Sequence, residues 1–121
     1  MPSGGPKVDL IVRDAADPHE AASREVVYSV LAEYGLAPDP GGTDADLADL
    51  ENSYWRNDGV FHVVLSPEGS IVGCGGLFRL SAAEVELRKM YLLPDARGRG
   101  LGRRLLNRLI ADARRLGYQH V

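Results

Sequence analysis

Several things are scarce in this sequence. Cys74 is its one cysteine, so no internal disulfide can form, and a reduced, cytoplasmic setting is the simplest expectation. No apolar run is long enough to cross a bilayer, and the opening MPSGGPK lacks the apolar stretch of a secretion signal. No membrane role is therefore expected. His19, His62 and His120 are scattered, none with a partner at ligand spacing, so no metal is expected. Net charge is also small: a formal −3 gives no global reason to expect a nucleic-acid partner. The 121 residues suit one domain, expected over 8–121 behind a flexible terminus at 1–7.

The rest of the chain is well patterned. VDLIVRD, Val8 to Asp14, reads as a strand. Asp17 and Pro18 then mark a helix start, with Glu20 adding favourable charge. That helix runs through HEAASREVVYSVLAEY, with Val26, Val27, Val30, Leu31 and Tyr34 at helical spacing and Gly35 as its stop. A Pro/Gly-rich loop follows. Thr43 or Asp44 caps a second, short helix through Leu47 and Leu50 toward Tyr54. Gly59–Ser66 and Ser70–Leu80 read as a hairpin about the turn PEG, and VELRKMYLL as a further strand. A long amphipathic helix spans about Gly100 to Leu116, and YQHV opens another strand. The order is β-α-α-β-β-β-α-β, an α/β (α+β mixed-sheet) architecture with its ligand chemistry expected at the strand–loop–helix unit.

That unit holds ARGRGLG, Ala96 to Gly102. Gly98, Gly100 and Gly102 leave their amides unshielded by any β-carbon, and the helix that begins there adds unpaired N–H groups and the positive end of its dipole. Arg97, Arg99, Arg103 and Arg104 add cations. Together these make a pyrophosphate cradle. From the glycines alone, a flexible turn with a solvated basic face fits equally well. No Lys-Ser/Thr pair follows the glycines, which argues against a phosphate loop of nucleotide hydrolases. The spacing is G-x-G-x-G rather than G-x-G-x-x-G, which argues against a dinucleotide fold.

Arg97-Gly98-Arg99-Gly100-Leu101-Gly102 matches [Q/R]-x-x-G-x-[G/A]. In this it resembles the coenzyme A loop of the GNAT superfamily of N-acetyltransferases. ELRKMYLLPDARGRGLGRRLL resembles that family's fourth strand, loop and third helix in one stretch. The order of elements from Val8 is similar too.

The resemblance implies a GNAT-like acyl-CoA N-acyltransferase fold and an enzyme that passes an acetyl group from acetyl-CoA to a primary amine. The acceptor it implies is a small molecule or amino-acid-like compound. In such folds a bulge frees backbone groups of the fourth strand to hold the pantetheine arm. By position these are Met90, Tyr91 and Leu92, with Arg97, Gly98, Arg99, Gly100, Leu101, Gly102 and Arg103 cradling the pyrophosphate. The amide near Met90 or Tyr91 would polarise the thioester carbonyl. Glu86 stands where several members carry a catalytic glutamate, and Glu84 is the second choice, on the same face by strand alternation. Both also read as solvated edge charges. Tyr34 is a candidate for the acceptor side or for the core, and Tyr54 and Trp55 for the acceptor side or for covering the sheet. Asp39, Asp44, Asp46 and Asp49 suit a cationic acceptor, and equally suit helix caps and solvated charges.

The chain departs from the family's pattern by stopping at Val121, where members continue through further strands. Tyr118 does not match the tyrosine that usually protonates the leaving thiolate. The expectation is a fold truncated at its C-terminus. It would be a piece of a longer enzyme, a natively short chain completed by a homodimer or strand-exchanged assembly, or a noncatalytic acyl-CoA-binding or assembly module. The apolar underside of the last helix is expected to need cover from outside the chain.

Overall fold

The computed structural model describes residues 19–121. The strand expected at Val8–Asp14, the cap at Asp17 and Pro18, and the 1–7 terminus lie outside the described residues.

Helix α1, His19–Glu33, buries Val26, Val27 and Val30. Its end is a Schellman pairing: Leu36 N–H donates to Leu31 O at 2.8 Å and Gly35 N–H to Ala32 O at 3.0 Å. Glu20 does more than favour the helix start. Its Oε2 accepts the Leu50 N–H at 2.9 Å, and Arg24 reaches Leu47 O at 3.1 Å, so α1 holds the following segment against itself.

That segment is not one helix. It divides into a 3₁₀ turn at Ala45–Ala48, a single-turn α2 at Leu50–Ser53 and a second 3₁₀ turn at Trp55–Asn57. The break is at Asp49, whose extended backbone (φ −152°) lets its side chain cap the Asn52 N–H. The expected cap from Asp44 is absent, because Asp44 Oδ2 instead accepts the Asp39 N–H at 2.8 Å.

Strands β1 (Val60–Leu65), β2 (Ile71–Arg79) and β3 (Val85–Leu92) form an antiparallel sheet in that order. Strand alternation sends Phe61, Val63, Leu65 and Cys74 to the α1 face, where they meet Val26, Val27, Leu47, Leu50 and Tyr54. Gly76 makes that packing possible: a β-carbon there would lie 2.6 Å from the Phe61 ring and 2.8 Å from the Tyr54 ring. Val60, Val64, Leu77 and Val85 face the other way.

They pack on α3, Leu101–Arg115, through Leu101, Leu105, Leu109 and Ala113. These four are at most 1% exposed, so the chain's own sheet covers most of the underside of the last helix, contrary to the sequence expectation, while Leu116 stays 38% exposed. Beyond α3, His120 makes a single parallel bridge to Glu84 rather than a strand. Its carbonyl accepts the Val85 N–H at 3.0 Å. Among the described residues no helix is long and apolar enough to cross a membrane.

Candidate functional site

Strand β3 carries a bulge. Gly76 pairs with Arg88 and Cys74 with Tyr91, so Lys89 and Met90 together stand opposite the single Gly75. Lys89 is the displaced residue, with φ +55°. The extra residue changes which parity faces α3: Val85 and Leu87 do so before it, Met90 and Leu92 after it. Tyr91 is thereby turned to the α1 side.

Just past the bulge lies a groove of about 360 Å³ lined by Val30, Tyr34, Met90, Tyr91, Leu92 and Arg97. Four of the residues expected to hold a coenzyme thus line one cleft. Tyr34 is 67% exposed at its mouth and is not a core residue. Arg97 is firmly oriented there. Its Nε donates to Leu92 O at 3.0 Å, and its two terminal nitrogens meet both Glu33 oxygens at 2.6 and 2.8 Å. These bonds hold the Glu33 carboxyl below the usual carboxylate range and raise the Arg97 guanidinium further. Glu33 is a partner of the motif that sequence reading missed, because 64 positions separate the two residues.

The loop then runs through a 3₁₀ turn at Pro94–Ala96 into Gly98 and Gly100, at φ +75° and +77°. Only glycine takes that conformation cheaply. Gly100 is the N-cap of α3, and no side chain caps the helix. The first helical bond is Arg104 N–H to Gly100 O at 3.1 Å, which leaves the N–H groups of Leu101, Gly102 and Arg103 ahead of it. Leu101 is 1% exposed, so its side chain belongs to the core and only its amide serves the loop. The side chains of Arg99, Arg103 and Arg104 are exposed around the helix start.

Glu86 lies elsewhere on the strand. It borders a second groove of about 410 Å³ with Leu80, Glu84, Leu87 and His120, before the bulge. Its carboxylate pairs with Arg88, whose guanidinium sits 3.8 Å from the centre of the Phe78 ring. Glu84 stands at the His120 bridge, with Oε1 accepting from Ser81 Oγ at 3.3 Å. Tyr118 donates its hydroxyl to Asp58 O at 2.7 Å and so anchors the chain after α3. Two larger depressions, about 520 and 650 Å³, lie along α1 by the 66–70 turn; the larger one reaches Arg99.

The aspartates between the first two helices are all engaged within the fold. Asp49 caps α2, and Asp39 Oδ2 accepts the Thr43 N–H at 3.1 Å. Asp44 and Asp46 each pair with Lys89, at 3.4 and 3.2 Å. Cys74 is a buried core residue as expected, and burial pushes its thiol up to about 12, which makes it inert as a nucleophile. A second buried pair is new: His62 Nε2 meets Asp112 Oδ2 at 2.6 Å.

The chain is similar in sequence and fold to known proteins. The model of the Acetyltransferase (GNAT) family matches residues 25–121. The uncharacterized N-acetyltransferase YjgM of Escherichia coli K12 is 39% identical over 103 residues, 81% of this chain and 61% of that protein. The chain spans 61% and 58% of the lengths of the two curated relatives it matches, about three fifths. A GNAT-family acetyltransferase from Staphylococcus aureus Mu50 superposes with a TM-score of 0.82 at 23% identity, over 88% of this chain and 67% of that one. A phosphinothricin acetyltransferase of the same superfamily from Sinorhizobium meliloti, solved with acetyl-CoA, gives 0.64 at 22% identity, over 90% and 62%. A bulged β3, a glycine loop opening α3 and a family model matching four fifths of the residues lead to one conclusion: the chain belongs to the GNAT acetyltransferase family.

Proposed function

We propose that the protein transfers an acetyl group from acetyl-CoA to the primary amine of a small or amino-acid-like acceptor. Acetyl-CoA serves as cosubstrate, with the pyrophosphate on the amides of residues 98–103 and the pantetheine arm along Met90, Tyr91 and Leu92. The outer edge of β3 supports this: beyond the His120 bridge at Glu84 it has no strand partner among the described residues, so an extended arm can add to it. A neutral amine nitrogen attacks the thioester carbon while Glu86, which borders the other groove of β3, takes its proton through water. The carbon–sulfur bond then breaks, giving an N-acetyl amine and the coenzyme thiolate; the thiolate takes a proton from solvent and Glu86 returns its own there, so the coenzyme leaves as the thiol. A reducing, cytoplasmic setting fits the lone buried thiol of Cys74.

The observation that carries this reading is Gly102. It is helical, so no backbone torsion requires a glycine. A β-carbon there would make ordinary contacts, 3.6 Å to Leu92 and 3.9 Å to Met90. The fold therefore has no need of glycine at 102, which opens toward two of the residues assigned to the coenzyme. Close approach by a ligand accounts for it. Gly102→Ala is expected to stabilise the free protein by up to about 0.5–1 kcal/mol and to weaken acetyl-CoA binding about tenfold or more. Denaturant unfolding and titration calorimetry measure the two. A variant that binds as well as wild type removes the cradle. Calorimetric binding without thiol release, across a panel of primary amines, would mark a noncatalytic acyl-CoA-binding module instead.

The same reading includes self-association, as a homodimer or with exchanged strands. The open β3 edge lies beside exposed Leu80 and Val121. Light scattering behind a sizing column is expected to show a dimer over a dilution series. A monodisperse monomer at micromolar concentration would mean that the edge serves the coenzyme alone.

A further inference from the structure

Lys89 holds a costly conformation. A non-glycine residue in the left-handed region costs of order 1–3 kcal/mol and persists only where its surroundings over-determine it. At φ +55°, Lys89 is held from two directions. Its side chain leaves the strand and crosses to the segment between α1 and β1. There its Nζ donates to Thr43 O at 2.8 Å and lies 3.4 Å from Asp44 Oδ1 and 3.2 Å from Asp46 Oδ1. The Lys89 and Asp44 side chains are 10% exposed and that of Asp46 5%, so the ion pairs are shielded. Asp46 Oδ2 in turn accepts the hydroxyl of Tyr54, a residue with no exposed surface. From the other direction, the buried Cys74 thiol donates to the Lys89 carbonyl at 3.2 Å.

The carbonyl contact has a geometric consequence. Lys89 O and Met90 N–H belong to one peptide plane, and in a trans peptide they point in opposite directions. With the carbonyl aimed at Cys74, the Met90 N–H is aimed away from it. This amide is one of the two assigned above to polarise the thioester carbonyl. The ammonium and the thiol therefore hold the plane that sets the amide's direction.

We propose that Lys89 is a positioning residue for acetyl transfer: its ammonium, clamped between Asp44 and Asp46, locks the β3 bulge and ties the 43–46 segment to it. This rests on the acetyltransferase reading above. A displacement of about 1 Å at a reacting centre costs up to roughly a hundredfold in rate. The loss should fall mainly on kcat, because the pyrophosphate contacts and those of Tyr91 and Leu92 lie beyond the peptide plane that Lys89 holds.

Lys89→Gly and Lys89→Met separate the ammonium from the backbone. Glycine accepts the positive φ without strain but carries no charge; methionine keeps the length. Both are expected to lower kcat about 10- to 100-fold while calorimetric acetyl-CoA affinity changes less than about threefold. Lys89→Arg should recover part of the loss. Lys89→Met combined with Asp46→Asn keeps the test readable if the stranded carboxylates prevent folding. Thiol release with glycine, lysine and an alkylamine as acceptors reports kcat. Amide hydrogen exchange at Met90 and at residues 43–46 reports the clamp without turnover, and both should accelerate in Lys89→Gly. Wild-type kcat in Lys89→Gly overturns the proposal, as does unchanged exchange at Met90. So does a loss in which kcat and affinity fall together in step with stability. If the wild-type protein releases no thiol, the acetyltransferase reading falls, and the exchange rates alone decide whether Lys89 locks the bulge.

Discussion

Glu86→Gln is expected to lower acetyl transfer by roughly 10²–10⁴-fold, the usual loss for one general base. Glutamine keeps the shape and a partner for Arg88 but cannot take a proton. Glu86 is exposed on β3, four residues before Met90, and borders a different groove from the coenzyme residues. Acetyl-CoA affinity should therefore stay close to wild type. Its pairing with Arg88, itself stacked on Phe78, directs the carboxylate along the strand and leaves it in reach of the second groove. The limb of the pH–rate profile that reports an ionised base should vanish in the variant. Glu84→Gln is the control: its carboxylate accepts from Ser81 within a turn, and activity should be near normal. A Glu86→Gln enzyme with full turnover at every pH would make Glu86 a salt-bridge partner of Arg88 and nothing more.

What the sequence makes legible here follows from how far apart the interacting residues are. Elements set by local periodicity are read almost to the residue. The helix expected at Gly100–Leu116 is found at Leu101–Arg115, and the strand VELRKMYLL at Val85–Leu92. The bulge leaves only a partial trace: before Lys89 the apolar residues alternate, Val85 and Leu87, whereas after it Met90, Tyr91, Leu92 and Leu93 are apolar in succession. The split of the second helix is harder to see, since Asp49 looks like any helical aspartate until it caps Asn52. The pairs Glu33 with Arg97, Asp44 with Lys89 and His62 with Asp112 are not readable at all. They span 64, 45 and 50 positions, and no periodicity links them. The cradle is visible because its parts are consecutive. Its neighbours are not, because only the fold brings them together.

The buried pair of His62 and Asp112 is expected to have a large effect on stability. Asp112 sits on the buried face of α3, where the apolar stripe calls for a hydrophobe, and is 2% exposed. Its Oδ2 meets His62 Nε2 from β1 at 2.6 Å, while Oδ1 faces Arg115 at 3.2 Å and Arg108 at 3.4 Å. Burial alone would push this carboxyl up. The hydrogen bond and charge of His62, with help from the two arginines, outweigh it and hold the carboxyl below its ordinary value. A folded value below the unfolded one means that this contribution is full above the ordinary carboxylate range. It is lost as pH falls through the depressed value. Asp112→Ala is expected to cost about 3–5 kcal/mol, because it strands a buried imidazole whose Nδ1 has no partner among the described residues. Removing both partners, as His62→Leu with Asp112→Leu, should recover most of that loss, since a well-packed apolar pair avoids the desolvation. Denaturant midpoints at neutral and acid pH test this: the wild-type advantage over Asp112→Asn should shrink as pH falls. A loss below about 1 kcal/mol for Asp112→Ala would place the pair with ordinary surface ion pairs. A full loss would identify His62 and Asp112 as the tie between α3 and the sheet. The glycine loop opens α3, so the tie also sets where the loop's amides stand relative to β3.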